Sequence, residues 1–311
     1  MEIESHRNQK FNLSDSLTQW ERLLASWWRA TSQSGLAISL DDIEQLDVAQ
    51  GAISDRLNKM FDQMRDSAEV RRKNLSTFSQ WKIISVGEDC FSRTVLTRWG
   101  LKPSASFGEK STPFDLSVHP VSSLVALLNS DFEGYLDDQH LEFSEQLNFC
   151  RNTRYRVGFN HETGKDYAAN NFQKLKETYE PRIERFREQM NKREKTCFVL
   201  HIRNPSLANW ATINQLWSML KDRSSAQEKI LICISTWKFG ELIKVEHRPS
   251  LTGNDAYLIN VNYPVENYIW HKHGHQPKGH AFEKSVAQKC AEILMCHAGD
   301  AAERPSLAQG V

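Results

Sequence analysis

Three histidine-bearing or thiol-bearing stretches could do chemistry, and the sharpest is the run Gly87-Glu88-Asp89-Cys90. Glycine permits a tight turn, and a thiol at the start of a helix meets unpaired N–H groups and the positive end of the helix dipole, which favour thiolate. The same N–H groups can hold an oxyanion. Glu88 and Asp89 work against a thiolate unless they point away or pair with a cation such as Arg93. A thiol nucleophile also needs an imidazole within hydrogen-bond reach and a third group to fix the imidazole tautomer. The plain alternative for Cys90 is a small residue filling a turn.

The other candidates are His161, which follows the alternating Tyr155, Val157 and Phe159, and the run His271-Lys272-His273-Gly274-His275-Gln276-Pro277-Lys278-Gly279-His280. On an extended chain His271, His273 and His275 would share one face and resemble a zinc site. No cysteine or acidic ligand lies close to them in sequence, so no metal is expected. The chain has no Gly-x-Gly-x-x-Gly run and no Walker loop, so no nucleotide and no other cofactor is expected.

These residues need elements to position them. After Trp81 the apolar runs Lys82–Val86, Cys197–Ile202, Ile230–Ile234 and Tyr257–Val261 have strand length. Between them lie helical patterns. One carries Phe91, Val95, Leu96 and Trp99 and stops at Gly100. One opens at Pro120, and a long one carries Phe172 to Met190 with a kink expected at Pro181. Others cover Asn214–Leu220 and Phe282–Ile293. The alternation predicts an α/β fold with a mostly parallel sheet and helices on both faces, a three-layer Rossmann-like core. Active sites in such sheets lie beyond the carboxyl ends of the strands. That rule selects Gly87 to Cys90, His161, Arg203-Asn204 and Ser235-Thr236.

Residues 1–80 read as a helical N-terminal region. Leu17, Trp20, Leu24 and Trp27 recur at helix spacing, and Ile43, Leu46, Gln50, Ile53, Leu57, Met60 and Met64 keep a 3-4 spacing. That spacing buries a face against the main domain or offers a seam for self-association or a protein partner. The run Glu69 to Ser79 is polar and basic and reads as a linker. Residues 81–297 form the expected α/β catalytic domain, and 298–311 an expected disordered tail.

The totals exclude some classes. Among 311 residues, 39 Lys and Arg balance 39 Asp and Glu, which argues against a dedicated nucleic-acid binder. No stretch approaches the ~20 apolar residues of a membrane span, and the polar start Met1–Lys10 lacks a signal-peptide core. Six scattered cysteines without a Cys-x-x-Cys pair read as reduced thiols of a cytoplasmic protein.

A strand ending in Gly-x-x-Cys, then a helix, then Pro113-Phe114-Asp115, then Phe159-x-His161, resembles a bacterial family of unknown function labelled papain-like cysteine peptidase. The segment Tyr179–Phe186 and the strand Cys197–Arg203 resemble it too. The resemblance implies Cys90 as nucleophile, His161 as base, and Asp115 as the residue that orients the imidazole or shapes the pocket. The block ending in His275-Gln276-Pro277-Lys278-Gly279-His280 resembles the terminal block of SGNH/GDSL-type hydrolases and acyltransferases. That likeness implies His275 as base and Asn204 in the oxyanion hole, with Cys90 standing for serine. Lys272 departs from the Asp usual in that family. Gly87, Arg203 and Asn204 complete the expected oxyanion and substrate-binding set. The expected activity is thiol-dependent acyl chemistry on a peptide, or on an acylated small molecule or carbohydrate. The alternative is a non-catalytic interaction module.

Overall fold

The computed structural model describes residues 40–203, 209–239, 243–247, 255–274 and 276–297. The chain divides into two compact units, residues 1–60 and 61–311. In the first, the described residues 40–60 are the opening turns of helix α1 (Leu40–Thr77). The Leu17–Trp28 pattern and the tail from 298 lie outside the described residues, as do the side chains of every seam position from Ile43 to Met60. Helix α1 runs through Thr77, so most of the expected linker at 69–79 is helical.

The second unit is built on a five-stranded sheet in the order β1-β5-β6-β8-β7. Strands β1 (Trp81–Ser85), β5 (Lys195–Ile202), β6 (Lys229–Phe239) and β8 (Ala256–Tyr263) are parallel. Strand β7 (Ile243–His247) closes one edge antiparallel to β8. Alternate side chains of a strand point to opposite faces. On one face Ile84, Phe198, Leu200, Leu231 and Leu258 pack with helices α3 (Val121–Asn129), α4 (Ala169–Met190) and α5 (Trp210–Arg223). On the other, Ile83, Val199, Ile232 and Ile259 pack with α2 (Phe91–Arg98) and α7 (Pro277–Cys296). Burial on both faces is why these strands read as continuous apolar runs. This is the expected three-layer α/β arrangement.

Helix α2 is fastened at its C-terminus. Gly100 takes φ +77° there, the left-handed conformation of a helix end. The last carbonyls of the segment are answered by α1: Asn74 Nδ2 donates to the Trp99 oxygen at 2.8 Å and Arg71 Nε to the Arg98 oxygen at 3.1 Å. In α4 the non-helical residues are Asn170, Asn171 and Phe172, with positive φ, so the break falls in the first turn and not at Pro181.

A second sheet, β2-β3-β4, is antiparallel: β2 (Leu141–Ser144), β3 (Phe149–Asn152) and β4 (Val157–Thr163). His161 therefore ends no strand of the parallel sheet, contrary to the strand-end rule applied to the sequence. It stands exposed within β4. Among the described residues no helix is long and apolar enough to cross a membrane, and no group of three His, Cys, Asp or Glu side chains is placed to hold a metal ion.

Candidate active site

Strand β1 leads through Val86 into the turn Gly87-Glu88-Asp89-Cys90 and then into α2. The turn is pressed against β5. A Cβ on Gly87 would stand 3.1 Å from the Asp89 oxygen and the Ser92 hydroxyl and 3.2 Å from the His201 nitrogen, tighter than side chains ordinarily tolerate. The Glu88 N–H donates to the His201 oxygen at 3.3 Å, and the His119 N–H donates to the Glu88 oxygen at 3.0 Å.

Cys90 occupies the N-cap position of α2, but its thiol makes no cap bond. The Phe91 N–H goes instead to Asp89 Oδ1 at 3.0 Å. Cys90 is 9% exposed. Burial pushes the thiol up from its ordinary value, and the charge of Asp89 pushes it the same way. Bonds to the Trp270 indole, to its own backbone and to Thr94 pull it down without reversing the direction. The expected helix-terminus thiolate is thus overturned by a stronger local charge and by the loss of water. The structure presents a protonated resting thiol.

Asp89 is the hub beside it. Its Oδ1 lies 2.8 Å from His201 Nδ1, and Arg203 Nε is 3.4 Å from Oδ2. Burial pushes the Asp89 carboxyl up. The charge of His201, its hydrogen bond, the Phe91 amide and Arg203 together outweigh that and leave the carboxyl below its usual value. His201 Nε2 lies 2.8 Å from Thr236 Oγ1, and the Thr236 hydroxyl donates to the Tyr263 oxygen at 2.7 Å. The rings of Phe91 and His201 are 4.3 Å apart, and Trp270 meets both. Asp89, His201, Thr236 and Tyr263 come from the β1 turn, β5, β6 and the last residue of β8. The chain they form therefore crosses the carboxyl edge of the sheet.

The residues singled out from the sequence are distributed as follows. Arg203 is half-exposed. Its N–H donates to Glu88 Oε2 at 3.1 Å, so Glu88 and Asp89 answer Arg203 and His201 rather than Arg93. Asp115 is fully buried. Lys102 Nζ donates to its Oδ1 at 3.1 Å, and the Thr112 N–H to its Oδ2 at 2.7 Å. These bonds hold the turn at 112–115, and none of them reaches an imidazole. Asn204 and His275 lie outside the described residues. The described start of the terminal block is not extended: Trp270–His273 forms a short helix, α6, in place of the extended chain on which a metal site was considered. His273 Nδ1 accepts the Ile269 N–H at 2.9 Å, and His280 Nε2 sits 3.1 Å from the Gln63 oxygen, so both work within the scaffold.

His201, Thr236 and Tyr263 were not read from the sequence as a set. One signal was present: His201 is a lone ionisable residue inside the apolar run Cys197–Ile202. A buried imidazole has to find partners. A separate cavity of about 300 Å³ opens where the C-terminal ends of α3, α4 and α5 meet, lined by Phe132, Phe186, Arg187 and Arg223 among others. Its arginines answer Asp131, and it shares no residue with the Cys90 network.

Fold and site thus define an α/β protein with a thiol at the first strand-to-helix turn of a parallel sheet, beside a buried carboxylate–imidazole pair. Residues 81–234 match the model of the family described as "Putative papain-like cysteine peptidase (DUF1796)". The match runs from the first residue of β1 into β6 and takes in Cys90, Asp115, His161 and His201. No curated protein and no solved structure matches the chain.

Proposed function

We propose that this protein is a thiol-dependent acyl hydrolase of the peptidase class, with Cys90 as its nucleophile. The observation that carries this reading is the placing of Cys90. It follows the first parallel strand, at the N-cap of α2, and the Trp270 indole bonds to its sulfur. The family description of residues 81–234 agrees with it.

The resting thiol is protonated, so deprotonation accompanies substrate binding rather than preceding it. A base takes the thiol proton as sulfur attacks the substrate carbonyl. A C–S bond forms and the carbonyl electron pair moves onto oxygen. Collapse of that oxyanion breaks the C–N or C–O bond, and for an amide the protonated base returns the proton to the leaving nitrogen. Water then cleaves the thioester and regenerates the thiol. The resemblance of the Phe159-x-His161 segment implies His161 as that base. Asp115, through its grip on the turn at 112–115, shapes the wall of the site. Gly87 and Arg203 border the region where the oxyanion develops.

The test is covalent trapping. The protein is mixed with 4-nitrophenyl acetate, quenched in acid and mapped by mass spectrometry. An acetyl group on Cys90, lost in C90S and depleted in H161Q, is the expected result. Acetylation only at other residues, or none at all, refutes the assignment.

A further inference from the structure

Resting on that reading of Cys90, we propose that Trp270 is a further catalytic residue: its indole N–H, which lies on the resting Cys90 sulfur, is the side-chain donor that takes up the carbonyl oxygen as it becomes an oxyanion, beside the N–H of Cys90 itself.

Reach is the first support. The groups bonded to the sulfur are the Trp270 indole, the backbone of Cys90 and the side chain of Thr94. In the tetrahedral adduct the oxygen is two bonds from that sulfur, so a donor already on the sulfur meets it after a small turn of the ring. An indole N–H donates and has no acceptor to offer, so Trp270 does not compete with the base for the thiol proton. As the C–S bond forms, sulfur gives up its charge and the carbonyl pair gathers on oxygen. A hydrogen bond to a charged acceptor is stronger than one to a neutral acceptor, so the N–H follows the charge. The bond is then stronger in the transition state than at rest, the condition for accelerating the step.

Placement is the second support. Trp270 opens α6 directly after Ile269, whose oxygen accepts the Lys272 and His273 N–H groups at 2.9 and 2.8 Å. The indole stands edge-on to Phe91, with centroids 5.5 Å apart, and edge-on to His201 at 6.3 Å. Phe91 follows Cys90 directly, and His201 is pinned between Asp89 and Thr236. The buried carboxylate–imidazole pair thus fixes one of the rings against which the indole sits, and the donor is held before substrate arrives. The need is local as well. Asp89 repels negative charge at this sulfur, and the groups bonded to the sulfur are neutral donors. Trp270 lies beyond the residues 81–234 covered by the family description.

The experiment compares two reactions of the same sulfur in the unaltered protein and in W270F, which keeps an aromatic ring and removes the N–H. Acetylation by 4-nitrophenyl acetate forms the C–S bond while the carbonyl pair moves onto oxygen, and 4-nitrophenolate then leaves with the C–O pair. Alkylation by iodoacetamide forms a C–S bond, displaces iodide and develops no oxyanion. Both consume the same thiolate through the same opening, so their ratio cancels changes in thiol ionisation and in access. In W270F the acetylation-to-alkylation ratio at Cys90 should fall by about 100-fold, the scale for loss of one oxyanion donor. Thermal unfolding midpoints monitor the fold. Should W270F not fold, replacing Trp270 by benzothienylalanine, which exchanges the N–H for sulfur at nearly the same shape, gives the same comparison. A fall of less than about tenfold, equal slowing of both reactions included, overturns the proposal and leaves Cys90 as nucleophile. Failure of the unaltered protein to acetylate Cys90 overturns both.

Discussion

His119 makes the stability of this protein fall in mild acid by an amount that can be worked out. The ring is fully buried, with Nε2 2.9 Å from the Tyr135 hydroxyl, Nδ1 3.4 Å from the Ser117 hydroxyl, and Phe114 at 5.1 Å. No carboxylate is among these partners. Burial pushes the imidazole down from 6.5 to about 3, against a smaller upward pull from the Ser117 backbone. The folded protein therefore keeps His119 neutral where the unfolded chain protonates it. Stability is complete above the unfolded value and is lost progressively as pH falls from 6.5 to about 3. At ~1.4 kcal/mol per pH unit, the loss from this one group is about 2 kcal/mol at pH 5 and approaches ~5 kcal/mol near pH 3. Full burial means that solvent screening does not reduce it.

The consequence reaches the site, because the His119 N–H holds the Glu88 carbonyl in the turn before Cys90. The assay is urea unfolding at pH 7 and pH 5 for the unaltered protein and for H119Q. H119Q should be the less stable at pH 7, since it loses the ring's packing. It should lose about 2 kcal/mol less than the unaltered protein between pH 7 and pH 5. Other titrating groups are common to both proteins and cancel in that difference. Equal losses would refute the reasoning, because a buried neutral imidazole cannot be silent over that interval.

Three further outcomes follow from the same geometry. Asp89→Asn removes the charge that, after burial, holds the Cys90 thiol up, so iodoacetamide should alkylate Cys90 faster at fixed pH, while unfolding becomes easier by roughly 3 kcal/mol as the buried His201 loses its carboxylate partner; slower alkylation would contradict the role given to Asp89. Gly87→Ala should cost about 1–3 kcal/mol in the unfolding free energy, because the new methyl meets the Asp89 oxygen and the His201 nitrogen. Lys102→Met leaves the buried Asp115 carboxylate without its cation and should cost about 3–5 kcal/mol, and adding Asp115→Asn should recover part of the loss. Additive losses in that double variant would show that the pair is not coupled.

The parallel strands were legible because both of their faces are buried: Lys82–Val86 and Cys197–Ile202 are apolar without a break, as a strand covered on both sides must be. Helix α2 was legible from Phe91, Val95, Leu96 and its Gly100 terminus. Strands β2 and β3 were not, because Leu141–Ser144 and Phe149–Asn152 are four residues each and mix exposed with buried positions. Strand β7 at the sheet edge was missed as well. The linker expected over 69–79 failed for a different reason. Its polar residues do their work on the surface of a helix, and Arg71 and Asn74 bond to carbonyls at the end of α2, partners more than twenty residues away.

By itself the sequence determined the layered α/β class and the turn that carries Cys90, since both depend on local pattern: apolar period, a glycine, and a helix start. Only the tertiary structure decided what surrounds the sulfur. The thiol's protonation follows from burial and from the direction of the Asp89 carboxylate. The partner of that carboxylate is His201, 112 residues further along the chain. Charge and hydrogen bonding act through space over a few ångströms, and sequence spacing carries no record of which strand ends will lie side by side.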